Sequence, residues 1–157
     1  MKKRICVDMS ATLLHHGHIR LLKKAAELGA VVVALTTDEE VEKKKGYKPE
    51  LSFAERKEIL ESIKYVDEVV PCRWLIDEDF LDQHRIDLLV HGDDNSNLVP
   101  REKTVIFPRT EGVSSSELRA RVLDSLISIN ISKDQVRGTD RMARALFSII
   151  KNEFRLD

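Results

Sequence analysis

Five short, β-branched apolar runs punctuate the chain, at Arg4–Met9, Ala30–Thr36, Glu68–Cys72, Asp87–His91 and Thr104–Pro108. Several are near-continuous rather than alternating, the pattern of strands buried on both faces of a parallel sheet. Helical spacing fills the intervals. Ile19, Leu22, Ala25 and Ala26 share one face, and Ile59, Leu60, Ile63 and Val66 share another. Ser52 stands three residues before Glu55, a capping box. Asp77 is placed to cap a later helix, with Ile76 and Leu81 as its hydrophobic staple. Such alternation predicts an α/β fold: a Rossmann-like open sheet of about five parallel strands flanked by helices, plus C-terminal helices.

After the fifth run, Ser114 with Glu117 reads as a second capping box and Val113 with Leu118 as a staple. Gly138 and Thr139 then open a further pattern through Met142, Leu146, Ile149 and Ile150. Residues 1–129 are read as one domain and 130–157 as a helical extension of it. A chain of 157 residues suits that single core.

The charge balance narrows the function classes. Lys+Arg number 26 against 27 Asp+Glu, a net charge of -1, which argues against a nucleic-acid coat or a polybasic membrane binder. No apolar run approaches the roughly 18 residues of a membrane span. The basic start meets Asp8 before any long apolar stretch, unlike a secretory signal. Cys6 and Cys72 make no disulfide framework, so a reduced, cytoplasmic protein is expected.

In an open parallel sheet, ligands bind beyond the carboxyl ends of the strands. Three clusters fall there. His15-His16-Gly17-His18 follows the first strand, and its two outer imidazoles can donate to phosphate oxygens at a helix start. A zinc site would need further ligands, and solvent-exposed histidines are the plain alternative. Lys43-Lys44-Lys45-Gly46 is read as a loop after the second strand; a lysine run alone is usually a solvated surface. Arg109-Thr110-Glu111-Gly112-Val113-Ser114-Ser115-Ser116 opens a capped helix, either an anion site or an ordinary helix start. Together at one sheet edge, the three predict polyphosphate binding without a Walker loop.

The segments LLHHGH, TTDEEVEKKKG, SFAERKEILESIKYVDEVV, VHGDD and RTEGVSSSEL, in that order, resemble the cytidylyltransferase family over roughly residues 3 to 127. That family includes glycerol-3-phosphate, phosphoethanolamine and phosphocholine cytidylyltransferases. The opening VDMSATLLHHGH is also similar to cytidylyltransferase domains attached to phosphoenolpyruvate mutases in phosphonate pathways. The resemblance implies transfer of CMP from CTP to a small phosphate- or phosphonate-bearing acceptor, with Mg²⁺ on the triphosphate and a homodimer pairing near Lys64-Tyr65-Val66-Asp67. It assigns His15 and His18 to charge stabilisation, Lys45 to the phosphates of both substrates, and Arg109, Thr110, Ser114 and Ser115 to the triphosphate. Met9, Ser10, Ala11, Asp93 and Asp94 fall at nucleotide-contacting positions, and Arg56 and Trp74 at substrate-side ones. No protein metal ligand is assigned.

The chain departs from the family pattern before the histidine box. Met9 occupies the usual glycine position and Thr12 the usual carboxylate, which leaves an inactive nucleotide-binding module as the rival from another class. An adenylyltransferase of the same superfamily is the rival enzyme. Where choline enzymes have an aspartate after the histidine, Gly92 stands here, and polar Asn95, Ser96 and Asn97 replace their tyrosine. The short span from Asn95 to Pro108 predicts a turn around Pro100 in place of a helix.

Overall fold

The structure, a computed structural model, describes residues 2–128. Two compact units divide the chain, Met1–Ser115 and Ser116–Asp157. The first carries β1 (Arg4–Met9), α1 (His16–Leu28), β2 (Ala30–Thr36), α2 (Asp38–Lys45), α3 (Phe53–Glu61), β3 (Glu68–Cys72), α4 (Glu78–Gln83), β4 (Leu88–Gly92) and β5 (Thr104–Phe107). The helix α5 (Ser115–Ser128) follows. The helical pattern from Gly138 to Ile150 lies outside the described residues.

The five strands form one parallel sheet in the order β3-β2-β1-β4-β5. The first crossovers run outward on one side of β1 and the later ones on the other, so β1 and β4 flank the topological switch point where ligands bind. Alternation along β1 splits the core in two. Ile5, Val7 and Met9 pack with Leu22 and Ala25 of α1 and Leu60 of α3. Cys6 packs on the opposite face with Leu81 of α4, Ile76 and Ile86. β2, buried from Val31 through Thr36, accounts for its continuous apolar run.

Both caps predicted within this unit form. Ser52 and Glu55 cap α3 reciprocally, and the Asp77 carboxylate accepts from the Phe80 amide at the start of α4. Three expectations change. Lys43–Lys45 lie not on a loop but on α2, which Thr37 caps and which ends at left-handed Gly46, φ 76°. Ile59 leaves the predicted apolar face and is exposed, because α3 ends at Glu61 and the chain turns through Ser62 before Ile63 and Val66 reach the core. β4 runs one residue later than expected, to Gly92, and β5 ends at Phe107, before a proline that has no N–H to give the ladder. Between them, a single 3₁₀ turn at Arg101–Lys103 follows Pro100.

Candidate active site

The residue that follows β1 and the residue that ends α2 meet first. The Lys45 ammonium donates to the Ser10 hydroxyl at 3.0 Å. Making the lysine run helical is what achieves this, since Gly46 stops α2 directly after Lys45, its amide closing on the Glu42 carbonyl at 2.9 Å. Lys45 also lies 5.5 Å from the centre of the Trp74 ring, with Lys44 at 6.0 Å. Trp74 is itself anchored, its amide donating to the Glu40 carboxylate at 2.9 Å.

At the start of α1 the two outer histidines cap each other's turn. The Gly17 amide donates to His15 Nδ1, and the His15 amide to His18 Nδ1, each at 3.2 Å. A nitrogen that accepts carries no proton, so each neutral ring holds its proton at Nε2 and donates from there. Burial, with the neighbouring His15 and the charges of Arg109 and Lys45, holds His18 down at about 3. The same charges mark His18, Lys45 and Arg109 as one electrostatic neighbourhood. Gly17 is needed for the fold-back: a Cβ there would stand 2.9 Å from the His15 ring.

The third cluster arrives from β4 and β5. Arg109 donates to Asp94 at 2.6 Å. A Cβ at Gly92 would stand 2.9 Å from Asp94 and 3.2 Å from the Arg109 stem, so glycine lets this pair cross the end of β4. The Ser115 hydroxyl donates to the Leu13 carbonyl at 3.2 Å, tying the loop after β5 to the one after β1. Thr110 and Ser114 are half-buried on that loop, and Asp93 is exposed.

Some predicted site residues have other duties. Met9 and Ala11 are buried in the core beside α1. Ala11 adopts φ 42°, a left-handed turn that is costly for a residue with a Cβ. Thr12 is fully buried. Arg56, assigned to substrate, is 1% exposed and spends its guanidinium on the Leu51 and Ser10 carbonyls and the Asp38 carboxylate. It braces the Ser10 turn against α2 rather than reaching into the site.

Sequence reasoning missed Asp38, which also accepts from the Phe53 amide at 2.9 Å, and Glu40. Their signal was present: a threonine cap, three acidic residues in the first turn and three lysines before a glycine spell a short helix with a complemented dipole. It also missed a polar group beneath the site, in which Asp8, His91 and Asn97 come together.

The arrangement suits a polyanion: two Nε2–H donors, an ammonium, a guanidinium and serine hydroxyls gather at the sheet's carboxyl edge. Among the described residues no group of three or more His, Cys, Asp and Glu forms a metal cage. No helix among them is long and apolar enough to cross a membrane.

The sequence pattern of the cytidylyltransferase-like family matches residues 11–121. The glycerol-3-phosphate cytidylyltransferase of Bacillus subtilis (strain 168) is 39% identical over 127 residues, covering 76% of this chain and 97% of that protein. The ethanolamine-phosphate cytidylyltransferase of Dictyostelium discoideum is 36% identical over 132 residues, covering 76% of this chain and 36% of that longer protein. Among solved structures, the lipopolysaccharide core biosynthesis protein from Thermoplasma volcanium GSS1 superposes with a TM-score of 0.60 at 20% identity, covering 71% of this chain and all of that one, a likeness of fold.

Proposed function

Because the chain belongs to the cytidylyltransferase-like family, we propose that it transfers CMP from CTP to a small phosphorylated alcohol or phosphonate and releases pyrophosphate. The observation that carries this reading is the convergence of His18, Lys45 and Arg109 at the carboxyl edge of β1 and β4. An acceptor phosphate oxygen is already anionic, so it attacks the α-phosphorus without a general base, and the site's work is orientation and charge stabilisation. The Nε2–H groups of His15 and His18 meet the charge that builds on the pentacovalent phosphorus and the leaving pyrophosphate. Lys45 joins the acceptor phosphate to the triphosphate, with Ser10 beside it. Arg109, Thr110, Ser114 and Ser115 hold the triphosphate, while Asp93 and Asp94 serve the nucleoside side.

Mg²⁺ belongs to this reading as a companion of CTP, neutralising triphosphate charge. Among the described residues no cluster builds its octahedral shell, so no step is drawn through it. A homodimer about the Lys64–Asp67 segment and a cytoplasmic setting complete the proposal. The exposed Ile59 supports the first, and two buried free thiols, Cys6 and Cys72, support the second.

The test is pyrophosphate release with CTP and with ATP across a panel of phosphate and phosphonate acceptors. Turnover with CTP is expected. Preference for ATP would move the chain to the adenylyl branch, and CTP binding with no turnover would make it a regulatory module.

A further inference from the structure

Beneath the site, charges alternate from the sheet interior to its rim. His91 Nε2 lies 3.5 Å from Asp8 at the end of β1, and His91 Nδ1 lies 3.7 Å from Asp94. Asp94 in turn accepts from Arg109 at 2.6 Å. We propose that His91, held between Asp8 and Asp94, is a positioning residue that keeps Arg109 aimed at the nucleotide phosphates. The proposal rests on the CMP-transfer reading for what Arg109 does, though not for the state of His91 itself.

The ring's surroundings demand two protons. Nδ1 faces the Gly92 carbonyl at 3.1 Å as well as Asp94, and Nε2 faces a carboxylate. A neutral imidazole donates from one nitrogen only and would turn its bare lone pair on an oxygen at the other. The imidazolium satisfies both sides. Asp8 is held in place by Asn97, which donates to the same carboxylate oxygen at 3.0 Å, while its own amide oxygen accepts from Ile76 at 2.8 Å. The remaining Asp8 oxygen is buried without a hydrogen-bond partner among the described residues, which leaves the carboxylate more dependent on the cation beside it.

The two carboxylates that face the ring act in the same sense, and the Arg109 cation, which opposes them, stands on the far side of Asp94. Asp8 comes from β1 and Asp94 from the loop after β4, with Arg109 behind Asp94. β5, paired with β4 at His91–Ile106, carries no titratable side chain. Burial alone would lower the ring, but the adjacent Asp8 carboxylate, the Gly92 carbonyl and the Asp94 charge overcome it and lift His91 to about 9. Loss of that proton removes the cation between two carboxylates. Asp94 is then repelled by Asp8, and Arg109 loses its fixed anchor.

Two measurements on the full chain decide the matter. Nitrogen-15 NMR of the His91 ring at pH 7 is expected to show both nitrogens protonated, with a midpoint lowered by Asp94→Asn. In parallel, His91→Gln is expected to reduce kcat/KM for CTP about tenfold, the scale of one charge-assisted contact. The acceptor KM should stay unchanged, and the alkaline fall in wild-type rate near pH 9 should disappear. A neutral single tautomer at pH 7 overturns the proposal, as does a folded His91→Gln variant with wild-type kcat/KM and the same alkaline fall. If wild-type protein turned over no nucleotide, the CMP-transfer reading would fail, while the ring's protonation state would still decide this one.

Discussion

The imidazoles of His15 and His18 stand 3.9 Å apart, centre to centre, at a 38° tilt, and each takes a backbone amide of the same turn on its Nδ1. Two rings this close cannot both carry charge at low cost, and His18 stays neutral. The helix cap and the proposed phosphate donors are therefore opposite nitrogens of the same two rings: the bonds that start α1 at Nδ1 fix the tautomer that donates from Nε2.

His18→Ala is expected to lower kcat by about 10² to 10³, the loss typical of one donor to transition-state charge, with a smaller effect on CTP affinity. His16 is exposed on the same turn, so His16→Ala should change kcat only a few-fold. Steady-state kinetics on both variants checks the pair. Turnover surviving His18→Ala within a few-fold would remove the assigned role.

Gly17→Ala separates folding from catalysis. Alanine favours a helix by about 1 kcal/mol over glycine. The new methyl meets the His15 ring at 2.9 Å, so the ring must swing and release the Gly17 amide. Thermal unfolding should change by only a few degrees while kcat falls at least about tenfold, the cost of displacing a donor. A variant with wild-type kcat would show that His15 need not lie where it does.

Most of the scaffold, and the three clusters read as candidate anion sites, are legible in the sequence for physical reasons. The continuous apolar run of β2 and the nearly continuous one of β1 report burial on both faces, and Ser52 and Asp77 declare helix starts by side-chain chemistry that acts within one turn. What was not legible depends on partners far apart in sequence. Arg56 reads as one more helix-face charge until Ser10, 46 residues away, and Asp38 come to it. Asp8 and His91 are 83 residues apart by their numbers, and only the β1–β4 pairing brings them face to face. Lys45 reads as a loop residue when its charge run is taken alone, and as the end of a helix only when the threonine cap and terminal glycine on either side are taken with it.

Two half-buried histidines give stability opposite pH slopes. His18 falls from 6.5 to about 3 on folding, so between those values the unfolded chain binds more protons and stability is lost as pH drops. His91 rises from 6.5 to about 9, so its contribution is complete below 6.5 and is lost as pH climbs towards 9. Urea unfolding at a series of pH values should show a shallower acid-side slope for His18→Gln and a shallower alkaline slope for His91→Gln. Parallel profiles for variant and wild type would refute the assignment in either case.

Lys45 differs from its neighbours by geometry rather than by charge. All three lysines are exposed, but the Lys45 ammonium reaches Ser10, while Lys44 lies against the Trp74 ring. Lys45→Met should raise KM for the acceptor and lower kcat by about tenfold or more, as loss of a charged hydrogen bond does. Lys43→Met should stay within about twofold, as for a solvated charge. Equal losses across the run would mean diffuse attraction in place of a phosphate contact.

Choline-type acceptors should be poor substrates, and Trp74 is the reason. A quaternary ammonium is held by stacking its methyl groups on aromatic faces beside a carboxylate. Trp74 is the chain's sole tryptophan, and two lysine ammoniums already lie over it, at 5.5 and 6.0 Å. A trimethylammonium entering there meets positive charge where it needs a vacant π-face. The nearest help, Glu40, has its carboxylate engaged by the Trp74 amide. Gly92 offers no carboxylate, and Asn95 and Asn97 spend their side chains on each other and on Asp8. What the same lysines favour is the compact, doubly anionic end of a small phosphate or phosphonate. Competition decides it: CTP is supplied with equal phosphocholine, phosphoethanolamine, glycerol-3-phosphate and 2-hydroxyethylphosphonate, and the CDP- and CMP-linked products are quantified by mass spectrometry. The choline product should be the smallest of the four. Its dominance would mean that Lys44 and Lys45 leave the Trp74 ring when substrate binds, and that the cage is completed by groups outside the site described.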